Sequence, residues 1–307
     1  MKTKISKCVS LVRGVVLAGA VGLISSGVQA QNLFVAGVGS GPYNSSGRIT
    51  QITPGGAQST FVQGQVPPFG LAFDHAGNLF VSEFNSQDGS GYIVEYDPSG
   101  SLHVFANMLS HPAGLAFDNA GNLFEADSGS GNIYRFTPDG VRSTIASGLN
   151  VPTALALNGA GYLFATDNSG NIYNISQGRQ IFASGLSYPS ALAFDGAGDL
   201  FVMSGTYNCT IYKYSPDGVQ STFASGLSYS YGLAFNSAGD LFAADNGSHS
   251  IYKYTPDGTQ STFASGLPYS YGLAFQSVPE PSPLALLAAG ASAMAVRRCN
   301  AWRRSFA

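Results

Sequence analysis

Cysteine is nearly absent from this 307-residue chain: Cys8, Cys209 and Cys299 are the only three, and Cys209 alone lies away from the two ends. A disulfide framework is therefore excluded, and a hydrophobic core must hold the fold. Charge is scarce as well, at 10% of residues. What charge there is sits unevenly. Residues 31–276 carry six Lys and Arg against sixteen Asp and Glu, a net −10, and the whole-chain value of −3 arises from basic residues near the ends. A body of that sign repels nucleic acid and anionic lipid, so nucleic acid is excluded as a partner. Abundance lies elsewhere, in 44% hydrophobic residues, 39 glycines, 20 phenylalanines and 16 tyrosines. With "PDG" and "AGN" as punctuation, this mixture favours short strands and tight turns, an all-β protein.

The ends read differently from the body. Lys2, Lys4, Lys7 and Arg13 precede the apolar run "GVVLAGAVGLI", and the small-residue stretch "SSGVQA" ends at Ala30. Residues 1–30 are thus expected to be a signal peptide cut after Ala30. The apolar run is too short for a permanent anchor, and Ser6 and Lys7 deny Cys8 a lipid-attachment context. Residues 278–307 open on Pro279, Glu280 and Pro281, continue uncharged to Val296, and finish with Arg297, Arg298, Arg303 and Arg304. Arginines on one flank of a short apolar segment place that flank in the cytoplasm. This order of features resembles the PEP-CTERM sorting signal of Gram-negative bacteria. The resemblance implies recognition by an exosortase, a membrane protease cutting near Pro279, Glu280 and Pro281. It also implies passage through the secretion machinery, transient membrane contact through a short transmembrane segment, and a setting of exopolysaccharide-producing cells. The expected location is the cell envelope or the extracellular space.

Between these ends, residues 31–277 repeat one unit, clearest in "GLAFNSAGDLFAADNGSHSIYKYTPDGTQSTFASGL" from Gly232 to Leu267. Four apolar runs separated by turn signals predict a four-stranded antiparallel meander. The first run recurs at Leu71, Leu115, Leu155, Leu192, Leu233 and Leu273, a spacing near forty residues that is typical of propeller blades. The order is offset, because the body begins with a second strand, "NLFVAG", and ends with a first strand, "GLAFQ". An open ring would leave a bare sheet edge and an apolar face in water. A six-bladed β-propeller is therefore predicted, closed by pairing the C-terminal strand with the N-terminal blade. The stretch "PAGLAFDNAGNLFEADSGSGNIYRFTPDG" from Pro112 to Gly140, with five further copies, resembles NHL-type propellers and the related gluconolactonase-like and virginiamycin B lyase-like folds. Such propellers host binding, scaffolding and several chemistries, so the fold does not name an activity.

Strand direction brings the loop between second and third strands, and the loop entering each first strand, to one end of the ring. That end is the candidate binding face. Glu83, Asp127, Asp167 and Asp245 follow the second strands and could ring a divalent cation such as calcium; alternatively, each caps its own turn through backbone amides. The entering loops bring His111, Tyr188, Tyr229, Tyr231, Tyr269 and Tyr271 to the same face, with Phe69. Rings with polar tips suit stacking on sugars; packing between blades is the alternative. The loops "GVGSGPYNSSG" and "EFNSQDGSG" are longer than their counterparts and could form a wall over blades one and two; a surface insertion without a role is the alternative. "GVGSGP" joins strand to strand and lacks the Gly-Lys-Ser/Thr ending, which excludes a phosphate loop. Gluconolactonase-like enzymes use a Glu, Asn and Asp set on a metal, and no such set can be placed here. The four histidines are scattered, so neither is a histidine-based lyase centre indicated. The expectation is a binding or scaffolding module, with no catalytic residues assigned and extracellular polysaccharide or a matrix protein as partner. The alternative is a metal-dependent lactonase-like hydrolase or lyase.

Overall fold

Residues 31–39, 46–64 and 66–276 are described in the structure, a computed structural model. The cleavage point at Ala30, the motif Pro279–Glu280–Pro281 and the short transmembrane segment lie outside the described residues. The body forms six four-stranded antiparallel sheets. Blade two shows the plan, with strands Pro68–Phe73, Leu79–Asn85, Ser90–Tyr96 and Leu102–Leu109 side by side in that order. Blades three to six repeat it, starting at Pro112, Pro152, Pro189 and Leu233. In blade one the last strand of the chain, Tyr269–Phe275, lies beside Leu33–Val38, followed by Gly47–Ile52 and Gln58–Gln63. Leu33 pairs with Phe275, Phe34 with Ala274 and Val35 with Leu273. The predicted closure is what the chain does.

Burial grades across each blade. The first strands touch those of both neighbouring blades all the way round, so they line the central axis. Second strands are buried on both faces, as in Leu123–Asp127 and Leu241–Asp245, because each sheet is sandwiched between two others. Fourth strands such as Gln58–Gln63 are largely exposed and correspondingly rich in Ser, Thr and Gln.

Aromatic wedges join blade to blade. Phe80 meets Phe105 of its own blade and Phe117 of the next, with ring centroids at 5.1 and 4.9 Å and edge-to-face geometry. Phe34, Phe164 and Phe201 repeat the arrangement. At the seam, Phe242 of blade six meets Phe275 of the last strand at 4.9 Å. Such pairs are worth about 0.5–1.5 kcal/mol each beyond the area they bury, so the C-terminal strand is held by the same kind of wedge as the first strands of blades two, three, five and six; at the junction of blades three and four Phe124 packs on aliphatic Leu157 instead. Backbones approach closely there too: a Cβ on Gly272 would fall 2.3 Å from the Phe69 carbonyl oxygen. Only glycine fits in "YGLAF" at that crossing.

One expectation changes. The blade-two segment "EFNSQDGSG" is not a long loop but an extension of the hairpin, with Phe84 opposite Gly91 and Asn85 opposite Ser90. A tight turn of Asn85, Asp88 and Ser90 hydrogen bonds ends it. Of the corresponding blade-one loop, residues 40–45 lie outside the described residues.

Candidate functional site

The second-strand acids anchor the entering loops. In blade three the Ser110 N–H donates to Asp127 Oδ2 at 2.7 Å, while Oδ1 accepts from the Ser130 N–H at 3.1 Å. Blade four repeats this with Asn150 and Ser169 donating to Asp167, and blade six with Ser228 donating to Asp245 at 2.7 Å. In blade five Ser204 takes the position, accepting from the Ser187 N–H and donating to its carbonyl. Each of these side chains therefore ties its own turn to the loop entering its own blade. Blade one has Gly37 there, because a Cβ would meet the Tyr269 carbonyl oxygen at 2.8 Å.

The anchored loops carry strain at one repeated position. His111, Val151, Tyr188 and Tyr229 have φ values of 66, 51, 46 and 52°, a left-handed conformation that non-glycine residues rarely adopt. Their loops are pinned on the adjacent turn, as where the Tyr229 N–H donates to the Thr206 carbonyl at 2.7 Å. Two residues further on, a bulge interrupts the first strand of blades two to five, between Pro68 and Leu71 in blade two, and between Pro112 and Leu115 in blade three. At that place along the innermost strands stand Phe69, Ala113, Thr153, Ser190, Tyr231 and Tyr271.

These residues make the channel mouth two-sided. Across blades six, one and two, Tyr231 and Tyr271 rings lie 5.6 Å apart and Tyr271 and Phe69 rings 5.4 Å apart, a continuous aromatic arc. Across blades three to five the same positions are Ala113, Thr153 and Ser190, and the two hydroxyls donate to the next loop's backbone at Pro189 and Ser230. The arc extends outward. The Tyr229 hydroxyl is pushed up to about 12 by its hydrogen bond with Tyr207, with further contributions from Tyr231 and Tyr269, and Tyr207 and Tyr229 rings lie 4.9 Å apart. Tyr269 is edge-on to His249. Asn246 locks the centre of this group: its Oδ1 accepts from the Ser270 N–H at 2.7 Å and its Nδ2 donates to the Ser270 carbonyl at 3.1 Å, between Tyr269 and Tyr271.

The structure thus brings Tyr229, Tyr231, Tyr269 and Tyr271 together. Tyr188 stands exposed on the loop entering blade five. His111 is elsewhere, stacked on Phe84 of the extended blade-two hairpin with centroids at 3.5 Å. Tyr207, Phe69 and Asn246 complete the cluster. Phe69 is visible from its place in the repeat, as is the position of Asn246 next to Asp245, which Asn168 shares next to Asp167; Tyr207 falls in a turn whose sequence does not repeat.

The acids do not gather. Among the described residues no three His, Cys, Asp or Glu side chains come together as a metal ion would require, and Asp127, Asp167 and Asp245 each spend their oxygens on hydrogen bonds inside one blade. The residues present therefore do not fit a cation shared at the channel mouth. Glu83, the blade-two counterpart, lines a crevice with Arg48 and Tyr96, and burial pushes its carboxyl up to about 7. A second acid was not singled out by its sequence: Glu125 is fully buried and neither carboxyl oxygen has a hydrogen-bond partner. Burial, and then the neighbouring Asp127 charge, hold its pKa well above the usual carboxylate range.

Comparison with known proteins agrees with this architecture. Residues 27–167 match the family model of the SMP-30/Gluconolactonase/LRE-like region. No curated protein matches the chain. A catalytically inactive virginiamycin B lyase from Staphylococcus aureus, solved with quinupristin, is 16% identical over 78% of this chain and 86% of that one, with a TM-score of 0.54. A putative gluconolactonase is 17% identical over 67% of this chain and 80% of that one, at 0.57. A Bacteroides caccae protein of unknown function is 13% identical over 81% of this chain and 100% of that one, at 0.58. At these identities the likeness is one of fold: the chain is a six-bladed β-propeller similar to the virginiamycin B lyase and gluconolactonase-like structures, with the SMP-30/gluconolactonase sequence pattern in residues 27–167.

Proposed function

We propose that the protein is an exported propeller that binds polysaccharide at its tyrosine-bearing end, as a binding or scaffolding module of the cell envelope or extracellular matrix. The observation that carries this reading is the arc of Phe69, Tyr271 and Tyr231, with the Tyr207–Tyr229 ring pair and Tyr269 on the neighbouring loops. Flat rings give stacking surface for sugar faces, and phenol hydroxyls at their tips give hydrogen-bond partners for sugar hydroxyls. The loops that present them are pre-ordered by Asn246 and the second-strand side chains, which lowers the entropy lost on binding. The signal-like first thirty residues and the PEP-CTERM-like tail supply the route: export, transient membrane contact, and processing by an exosortase. Retention of the purified protein on polysaccharide-coupled resins tests the reading. The double variant Tyr231→Ala/Tyr271→Ala should fold with an unchanged circular dichroism spectrum and lose retention; undiminished retention would contradict the assignment.

A second reading, a metal-dependent lactonase-like hydrolase or lyase, draws on the family-model match over residues 27–167. Calorimetric titration with calcium, zinc and manganese alongside a lactone-hydrolysis assay separates the two. Stoichiometric metal binding with turnover would favour the enzyme.

A further inference from the structure

A groove of about 640 Å³ opens beside blade five, a size typical of small-molecule sites. Its walls come from the segment leaving blade four, the turn after the second strand of blade five, and that blade's outer two strands. Blade four has the shortest outer strands, Ile172–Asn174 and Gln180–Ala183. The lining has no Asp, Glu, Lys, Arg or His. It offers hydroxyls and amides: Ser187, Thr206, Asn208, Thr210, Gln220 and Thr222 are among its residues. A site with many neutral donors and acceptors and no charge matches a ligand with many hydroxyls and no charge. An anionic chain would enter against the net −10 of the body without a single lysine or arginine in the groove to receive it.

The groove and the aromatic cluster share a loop. Thr206 and Asn208 line the groove, and between them Tyr207 reaches the Tyr229 ring at 4.9 Å. Ser187, also in the lining and hydrogen-bonded to Ser204 at the start of that turn, precedes the exposed Tyr188. The geometry points to one continuous binding track, in which a neutral polysaccharide chain lies across the tyrosine arc and runs on into the blade-five groove. This rests on the polysaccharide reading above and adds to it the charge class and the second contact region.

Calorimetric titration with cellohexaose, maltohexaose and their disaccharides, against hexagalacturonate as the anionic probe, tests it. The variants Asn208→Trp and Thr222→Trp fill the groove from two exposed positions, so one serves if the other misfolds. A neutral hexasaccharide should bind the wild type at least about tenfold more tightly than its disaccharide, and either variant should abolish that advantage while leaving disaccharide affinity unchanged. Hexagalacturonate should bind more weakly than the neutral chain. Unchanged hexasaccharide affinity in both folded variants, or equal affinity for the anionic chain, would overturn the groove proposal while binding at the tyrosines stands. No binding of any of these sugars to the wild type would overturn both.

Discussion

Val151 holds a φ of 51° at the loop position that His111, Tyr188 and Tyr229 also occupy in left-handed form. A β-branched side chain is poorly suited to that conformation, and the strain persists because the anchored loop imposes it. Val151→Gly should therefore stabilise the protein by about 1 kcal/mol, read as a raised midpoint in chemical denaturation, since the relief of strain exceeds the entropy glycine adds to the unfolded chain. Glu125 is the opposite case, a group whose chemistry is out of place. Its counterparts on the other second strands are Val35, Val81, Ala165, Val202 and Ala243, and its two oxygens are buried without partners. The folded protein keeps the Glu125 proton at pH values where the unfolded chain has released it. The Glu125 contribution to stability is then fully present below the ordinary carboxylate value of 4.5 and is lost as pH rises toward the raised folded value. Glu125→Val should flatten that fall and add about 1–3 kcal/mol at pH 8. A steeper loss of stability with pH in the variant would contradict this account. Glu83 adds a second fall between 4.5 and about 7, which Glu83→Gln should remove.

At the scale of the element, the entering loops matter most, because they convert a regular repeat into an asymmetric face. Asn246 bonds both the N–H and the carbonyl of Ser270. Asn246→Ala leaves those backbone groups without partners and should cost about 1–3 kcal/mol. It should also weaken sugar binding about as much as loss of one tyrosine, because Tyr269 and Tyr271 flank Ser270; stability lost with affinity intact would show that the loop is positioned by something else. The strands themselves were legible from the spacing of Leu71, Leu115, Leu155, Leu192, Leu233 and Leu273, since a leucine on an innermost strand meets the same neighbours in every blade. The loop chemistry was only half legible. That Asp127 and Asp167 cap their turns follows from the short sequence after each. That the same carboxylates reach back seventeen residues to Ser110 and Asn150 does not, because the contact depends on how two loops cross. Tyr207 and the groove escape a reading by repeats altogether: "GTYNC" has no counterpart in the other blades, and a cavity between blades has no sequence pattern of its own. Phe84 shows a further limit, since extra residues between strands could make a loop or lengthen a hairpin, and pairing with Gly91 decided it.

For the whole molecule, the seam and the site are one problem. The final strand supplies Phe275 to the wedge with Phe242, and Tyr271 to the aromatic arc between Tyr231 and Phe69. Phe275→Ala should cost about 3 kcal/mol by the size of the ring removed, and should weaken sugar binding because the strand that carries Tyr271 loosens. The most direct measurement is a cross-link across this seam. Asn32 and Gln276 lie opposite each other, with the Gln276 N–H donating to the Asn32 carbonyl at 2.9 Å. In a protein with Cys8, Cys209 and Cys299 replaced by serine, Asn32→Cys and Gln276→Cys should form a disulfide nearly completely under mild oxidation of the native protein, as counted by mass spectrometry. Two free thiols persisting in the folded protein would show that the ends do not share a sheet, and the arrangement of the tyrosines would lose its foundation.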